Sequence, residues 1–198
     1  MKIGVLAIQG NFAAHAAALQ AVGADAVEVR KPEELAGLDG IIIPGGESTT
    51  ILKFLEHGDF FEQLKTFVQT TPTFGTCAGC ILLAKDVQKP AQRSLAALDI
   101  TVERNAYGRQ NDSIILNEPT ALPGGPLEMV FIRAPRIAHA APQVEVLAKR
   151  DGDPALVREG HLMAATFHPE MSSDTRVHQM FVDLARAHKA GDSSSASK

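Results

Sequence analysis

The first thirty residues, MKIGVLAIQGNFAAHAAALQAVGADAVEVR (Met1–Arg30), alternate two kinds of apolar pattern. "KIGVLAI" and "DAVEVR" are apolar runs of strand length, and "FAAHAAALQAVG" between them has the spacing of a helix. Turn residues or polar breaks separate the three runs. A strand, a helix and a second strand in this order predict a βαβ unit, the building block of a parallel sheet.

The same rhythm continues through the first half of the chain. In "DGIIIPGGESTTILKFLEHG" a β-branched run stops at Pro44-Gly45-Gly46 and a helical pattern begins, for which Ser48 is the predicted N-cap. "DFFEQLKTFVQT" predicts another helix. "TPTFGT" is then a short strand that runs directly into Cys77, and "AGCILLAKD" predicts the helix that follows.

Shorter strand-like runs fill the second half, with Asp151-Gly152 as a strong hairpin signal. A closing helix is predicted over Asp174–Ala190, followed by the polar stretch "GDSSSASK". The expected fold class is α/β, a three-layer sandwich around a mostly parallel sheet with an antiparallel patch. We expect one domain over residues 1–190 and a flexible polar tail over residues 191–198.

Composition excludes several classes of protein. The 198 residues carry a formal net charge of −4 and no run of Lys and Arg, so we expect no nucleic-acid partner. The first apolar run is too short for a signal peptide, and no run approaches the ~18 residues that a membrane span needs. Two cysteines are too few for a secreted disulfide framework. These features predict a cytoplasmic protein without a membrane partner.

Both cysteines lie in "PTFGTCAGC" (Pro72–Cys80), where glycines flank Cys77 two positions away on each side. In open α/β sheets, ligand sites lie beyond the carboxyl ends of the strands. A cysteine on a sharp strand-to-helix turn is exposed there, next to a helix N-terminus that favours the thiolate. Gly75 and Gly79 suit the close backbone approach of such a turn. Cys77 is therefore a candidate nucleophile, although an ordinary buried cysteine at a βα turn fits this pentapeptide equally well.

A thiol nucleophile requires a base, and the base requires an acceptor that orients it. The chain offers both in "FHPE" (Phe167–Glu170), at the end of the apolar run "HLMAATF". Residues two apart in an extended segment face the same way, so Glu170 is placed to orient the imidazole of His168. The other six histidines show no metal-ligand spacing, and we interpret them as structural or exposed: His15, His57, His139, His161, His178 and His188.

Two further patterns have alternative interpretations. Cys77 and Cys80 together form C-x-x-C, which is also the spacing of a thiol redox pair, but that interpretation leaves "FHPE" without a role. On the preferred interpretation Cys80 is an apolar filler in the helix. In "IIIPGGESTT" the glycines expose backbone N–H groups that can stabilise an oxyanion, whereas the loop lacks the lysine of a phosphate-binding motif.

Together the three patterns resemble the class I (triad) glutamine amidotransferases. Within that class "PGGEST", "GTCAG", "RNAYGRQ" (Arg104–Gln110), "FIRAP" (Phe131–Pro135) and "FHPE" resemble the glutaminase subunits of pyridoxal 5′-phosphate synthases. The similarity runs from the first strand to the closing helix. It departs from the usual pattern at Cys80, at Ala14 and in "NDSII" after the "GRQ" motif.

The resemblance implies roles for individual residues. Cys77 would be the nucleophile, His168 the general base and acid, and Glu170 the residue that orients it. The backbone of Gly45, Gly46 and Ala78 would form the oxyanion hole. The glutamine would be bound by Gly46, Glu47, Ser48, Arg104, Ile132 and Arg133.

The resemblance also implies the reaction and its partners. The chain would hydrolyse L-glutamine to glutamate and ammonia, with no metal and no cofactor, and deliver the ammonia to a (β/α)8-barrel synthase subunit that makes pyridoxal 5′-phosphate. Three alternatives stay open at this point: a glutaminase subunit that serves another synthase, a thiol redox protein, and a binding subunit without catalysis.

Overall fold

A seven-stranded sheet lies at the centre of the computed structural model, which describes residues 1–106 and 113–195, with the side chains of residues 192–195 outside the description. The strands, in chain order, are β1 (Lys2–Leu6), β2 (Asp25–Val29), β3 (Gly40–Ile43), β4 (Thr73–Thr76), β5 (Ala84–Gln88), β6 (Leu98–Glu103), β7 (Ser113–Glu118), β8 (Leu127–Ile132), β9 (Arg136–Ala140), β10 (Glu145–Arg150), β11 (Asp153–Glu159) and β12 (Leu162–Ala165).

The strand order in the large sheet is β10-β11-β12-β4-β3-β1-β2. The five strands from β12 to β2 run parallel, whereas β10 and β11 are antiparallel and form one edge. The sheet is thus mostly parallel with an antiparallel patch, as predicted. Asp151 and Gly152 join β10 to β11 with φ of 51° and 89°, the positive values that a tight hairpin turn requires.

Helices cover both faces of this sheet. They are α1 (Phe12–Ala21), α2 (Ser48–Leu55), α3 (Phe60–Phe67), α4 (Ala78–Leu83) and α5 (Arg176–Ser195), with 3₁₀ turns at Pro32–Leu35 and Pro169–Met171. Side chains alternate along a strand, so Ile41 and Ile43 of β3 pack into the core with α2, α3 and α4. Ile42 faces the other core, with α1 and α5. The three-layer sandwich is confirmed.

Two smaller sheets complete these cores. The sheet β5-β6-β9 adds Val87 and Ile100 to the core beneath α2, α3 and α4. The hairpin β7-β8 adds Met129 and Phe131 to the core beneath α1 and α5. No helix within residues 1–106 and 113–195 is long and apolar enough to cross a membrane.

Some element boundaries differ from the sequence prediction. The helix predicted over "AGCILLAKD" ends at Leu83, and Ala84 already begins β5, because it pairs with Leu98 of β6. Tertiary pairing therefore overrides a locally helical sequence. The short strand β9 was not predicted. The closing helix α5 continues beyond its predicted end at Ala190 as far as Ser195.

Candidate active site

Loops from four parallel strands meet at one edge of the large sheet. Gln9 and Gly10 follow β1, Gly45 and Gly46 follow β3, Cys77 follows β4, and His168 follows β12. These strands are adjacent and parallel, so all four loops lie beyond carboxyl ends, where α/β proteins place their ligand sites. The loops enclose a cavity of about 430 Å³.

Cys77 occupies a strained turn between β4 and α4. Its backbone has φ 47° and ψ −101°, an uncommon conformation for a residue with a side chain, and its N–H donates to the carbonyl of Ala165 at 2.8 Å. A Cβ at Gly75 would lie 2.4 Å from the carbonyl oxygen of Gly79, and one at Gly79 would lie 1.9 Å from that of Ile43. The turn therefore requires glycine at both positions, as predicted.

His168 is held from both sides. Its backbone N–H donates to the carbonyl of Val130 at 2.8 Å. Its Nδ1 lies 2.8 Å from Oε1 of Glu170, whose side chain is completely buried, and the imidazole lines the cavity together with Cys77. The predicted extended segment is instead the start of the 3₁₀ turn Pro169–Met171, which still brings the two side chains together.

The electrostatics of these three residues favour a charged imidazole. Burial by itself disfavours protonation of His168, but its hydrogen bonds to Cys77 and Glu170 outweigh that effect and raise its pKa to about 10. Burial raises the pKa of Glu170. The hydrogen bond from His168 and the electrostatic interactions with His15 and His168 outweigh that effect, so the pKa of Glu170 is lowered. The site therefore holds an imidazolium between the carboxylate of Glu170 and the sulfur of Cys77.

The Gly45-Gly46 loop after β3 packs directly against Cys77 and His168. A Cβ at Gly45 would lie 2.5 Å from Cε1 of His168 and 3.3 Å from Cβ of Cys77. The loop is fixed from behind, because the N–H of Glu47 donates to Oε1 of Gln9 at 3.0 Å. Ala78, the third residue predicted for the oxyanion hole, is the first residue of α4 and follows Cys77 directly. Its backbone N–H lies in the first turn of α4, where the N–H groups of a helix have no intrahelical carbonyl acceptor.

Every residue predicted to bind glutamine lines the cavity: Gly46, Glu47, Ser48, Arg104, Ile132 and Arg133. Arg104 Nη2 lies 3.5 Å from Oε1 of Glu47, and the buried Nε of Arg104 has no hydrogen-bond partner among the described residues. Ser48 is not the N-cap of α2, since Glu47 holds that position, and its hydroxyl donates to Oε1 of Gln92 at 2.8 Å. Residues 107–110 of the "RNAYGRQ" motif lie outside the described part of the chain.

Five further residues line the cavity without having been predicted: Gln9, Gly10, Asn11, Ile81 and Asn105. The position of Gln9 could have been predicted from the sequence, because it follows β1, which is adjacent and parallel to β3. The rule that ligands bind at carboxyl ends applies to every such neighbour. The rule that marks Cys77 after β4 therefore also marks Gln9 after β1.

Cys80 does not share the cavity with Cys77. Its side chain is fully buried in the core with α2 and α3, and burial, assisted by the nearby Cys77, raises the pKa of its thiol. A redox pair requires a second thiol that can be reached and ionised. The redox interpretation is therefore not favoured. The described residues also contain no group of three or more potential ligands arranged for a metal ion.

A strained cysteine beside a buried histidine–glutamate pair, on the carboxyl edge of a parallel sheet, defines the class of triad glutamine amidotransferases. Comparison with known proteins gives the family. The chain belongs to the SNO glutamine amidotransferase family, whose model matches residues 5–186.

Individual relatives are similar over nearly the whole chain. It is 60% identical to the pyridoxal 5′-phosphate synthase subunit PdxT of Koribacter versatilis (strain Ellin345), over 97% of this chain and 100% of the relative. It is 47% identical to the subunit of the same name from Thermotoga sp. (strain RQ2), over 94% and 100%. A solved structure described as a glutamine amidotransferase superposes with a TM-score of 0.85 at 44% identity, covering 92% of this chain and 98% of that one.

Proposed function

We propose that this chain is the glutaminase subunit of a pyridoxal 5′-phosphate synthase. It hydrolyses the side-chain amide of L-glutamine to glutamate and ammonia and supplies the ammonia to the synthase subunit. The observation that carries the proposal is the alignment of Cys77, His168 and Glu170 at the cavity, in a chain whose relatives bear that subunit name. Neither a metal nor a cofactor takes part in the proposed reaction.

The first half of the reaction forms a thioester. The thiolate of Cys77 attacks the side-chain carbonyl carbon of glutamine, because the thiolate is the nucleophilic form of cysteine. The carbonyl oxygen becomes an oxyanion, for which Gly45, Gly46 and Ala78 are the proposed backbone donors. The imidazolium of His168 then gives its proton to the amide nitrogen, and the C–N bond breaks to release ammonia.

The second half regenerates the enzyme. His168, now neutral, takes a proton from a water molecule that attacks the thioester carbon. The C–S bond breaks, glutamate leaves, and Cys77 and His168 return to their starting state. Glu170 keeps Nδ1 of His168 protonated throughout, so that Nε2 is the nitrogen that gives and takes the proton.

The cavity suits a small zwitterionic amino acid. We propose that Arg104, whose Nε has no partner among the described residues, donates to the α-carboxylate of glutamine. The carboxylate of Glu47, half-exposed beside Arg104, is the corresponding partner for the α-ammonium group. Gly46, Ser48, Ile132 and Arg133 complete the proposed binding site.

We propose that the synthase partner is a (β/α)8-barrel subunit and that the two act in the cytoplasm. A partner is chemically necessary, because ammonia released into neutral water becomes mostly ammonium, which is not a nucleophile. We further propose that residues 1–190 form the glutaminase domain and that residues 191–198 lie outside it.

The test measures glutamate release from L-glutamine, with and without the cognate synthase subunit. We expect turnover in the complex and its loss, by at least ~10³-fold, in Cys77→Ala. The matched control is Cys80→Ala, which changes the neighbouring thiol on the same helix and should retain turnover. Activity that survives in Cys77→Ala would refute the mechanism, and a complex without any glutamate release would refute the function.

A further inference from the structure

Two buried histidines lie behind the triad and are not used by the mechanism. His15 on α1 and His178 on α5 are both completely buried, and Nδ1 of His15 lies 3.0 Å from Nε2 of His178. On its other side, Nε2 of His15 makes a hydrogen bond with Oγ1 of Thr76 at 3.2 Å. The same nitrogen lies 3.3 Å from Oε2 of Glu170, although outside good hydrogen-bond geometry. The pair therefore reaches from α5 to the carboxylate of the triad.

This contact concerns the carboxylate oxygen that His168 does not use. Oε1 of Glu170 accepts from His168, whereas Oε2 has no hydrogen bond of good geometry among the described residues. A buried carboxylate oxygen without a donor is costly. His15 Nε2, at 3.3 Å, is the group placed to supply a donor dipole to it.

The position of the His15 proton follows from the neighbours of the ring. If His15 carried its proton on Nδ1, a bare Nε2 lone pair would face the negative Oε2 of Glu170, and His178 would then carry its own proton on Nδ1. That atom is buried and has no partner among the described residues. With the His15 proton on Nε2, the ring donates toward Thr76 and Glu170, while His178 Nε2–H donates to Nδ1 of His15. The second arrangement removes the repulsion at Glu170, and it leaves at Nδ1 of His178 only a lone pair without a partner, which costs less than a buried N–H group without an acceptor.

We propose that His15 is a positioning residue for Glu170, with its proton held on Nε2 by His178. The pair fixes one carboxylate oxygen, so that the other stays aligned with Nδ1 of His168. This inference rests on the proposed function, because it assigns His15 a role through the triad.

The charge state of the two histidines is consistent with this role. Burial lowers the pKa of His15 to about 4, against the opposing attraction of Glu170, and lowers that of His178 to about 3. Both rings are therefore neutral near pH 7. A neutral His15 orients the carboxylate without neutralising it, so the negative charge of Glu170 remains available to stabilise the imidazolium of His168.

The first experiment reads the tautomer directly. Long-range ¹H–¹⁵N correlation spectra of the full chain, with histidine nitrogens labelled, distinguish protonated from bare ring nitrogens. We expect His15 to be protonated on Nε2 alone in the wild-type protein, and partly on Nδ1 in His178→Leu. A wild-type His15 protonated on Nδ1 would overturn the inference. This measurement needs no turnover, so its failure is distinct from a failure of the proposed function.

The second experiment uses kinetics in the complex with the synthase subunit. His15→Leu should lower kcat by about 10-fold with little change in the KM for glutamine. His15→Gln, whose amide N–H can replace Nε2–H, should recover most of that loss. The matched control is His161→Leu, which removes a histidine hydrogen bond to the carbonyl of Val68 at the opposite end of β12 and should leave kcat within about twofold.

The outcomes separate positioning from general stability. A normal kcat in His15→Leu would overturn the inference, and so would a raised KM with an unchanged kcat. Equal impairment of His15→Gln and His15→Leu would also overturn it, since it would indicate a packing role alone. Should His15→Leu not fold, the wild-type spectra and His15→Gln decide the question.

Discussion

Among single residues, Gly45 is a position where one added methyl group would contact both His168 and Cys77. A Cβ there would lie 2.5 Å from Cε1 of His168, so Gly45→Ala must displace the imidazole or the loop. We expect kcat to fall by about 100-fold, because a displacement near 1 Å costs that much. The measurement is glutamate release in the complex, with the exposed Gly191→Ala on α5 as the control. Wild-type kcat in Gly45→Ala would show that the loop rearranges freely.

Cys80 is a residue near the site whose substitution should leave turnover intact. It is fully buried, and burial raises the pKa of its thiol, so we expect it to take no part in proton or electron transfer. Cys80→Ala should retain kcat within about twofold and lose about 1 kcal/mol of stability from the space left in the core. The check combines turnover with denaturant unfolding. Lost turnover in a folded variant would return the redox interpretation to consideration.

Sequence alone predicted the residues whose type and local spacing carry a signal. Cys77 between two glycines, and His168 two residues before Glu170, are local patterns of this kind. His15 was interpreted as structural or exposed, because its contact with Glu170 joins positions far apart in the chain. Such a contact depends on how α1 and α5 pack onto the sheet, and no local pattern encodes that.

At the scale of elements, the turn between β4 and α4 depends on close packing of backbones. A Cβ at Gly79 would lie 1.9 Å from the carbonyl oxygen of Ile43 on the neighbouring strand. Gly79→Ala should therefore lower the free energy of unfolding by about 3 kcal/mol. The shift in the denaturant midpoint measures this loss, and Gly191→Ala should show none. An unshifted midpoint in Gly79→Ala would contradict the packing described for the turn.

Element boundaries were predictable where the local signal agreed with the tertiary structure. The hairpin at Asp151-Gly152 needs positive φ at both positions, and the sequence provides residues that accept it. The end of the helix predicted over "AGCILLAKD", from Ala84 to Asp86, is instead the start of β5, which pairs with β6. Ser48 suits an N-cap, but its hydroxyl is held by Gln92, which is distant in sequence. Both errors arise from partners that a local reading cannot identify.

At the scale of the whole molecule, the two neutral buried histidines make stability depend on pH. Unfolded histidines bind protons below about pH 6.5, whereas folded His15 and His178 bind them only near pH 4 and 3. The unfolded state therefore gains protons as the pH falls from 6.5 toward 4. The free energy of unfolding should fall by about 1.4 kcal/mol per pH unit for each histidine.

The variant His178→Leu tests this dependence. It removes one of the two groups, so the slope of unfolding free energy against pH between 6.5 and 5 should be about half that of the wild type. Denaturant titrations at several pH values give both slopes. Identical slopes would contradict the assignment. His168 acts in the other direction: its raised pKa contributes stability that is present below pH 6.5 and is lost as the pH rises through about 10.

The fold class was predictable because it depends on the order of elements and not on their contacts. Alternating strand and helix patterns in the first half require parallel pairing, and continuous apolar strands such as "GIII" in β3 require cover on both faces. The order of strands across the sheet was not predictable in the same way. The neighbours β4 and β12 are separated by most of the second half of the chain, and only their packing brings Cys77 and His168 together.

The four loops of the cavity all lie at the carboxyl ends of their strands. A label can therefore be attached at the amino end of β12, on the opposite side of the sheet. The turn at Gly160 joins β11 to β12 there, with φ of 56°, and a Cβ at this position would have no described atom within 4 Å. A dye or a short epitope placed at this turn should leave turnover intact. The signal of such a label would then follow assembly with the synthase subunit without disturbing the residues of the active-site cavity.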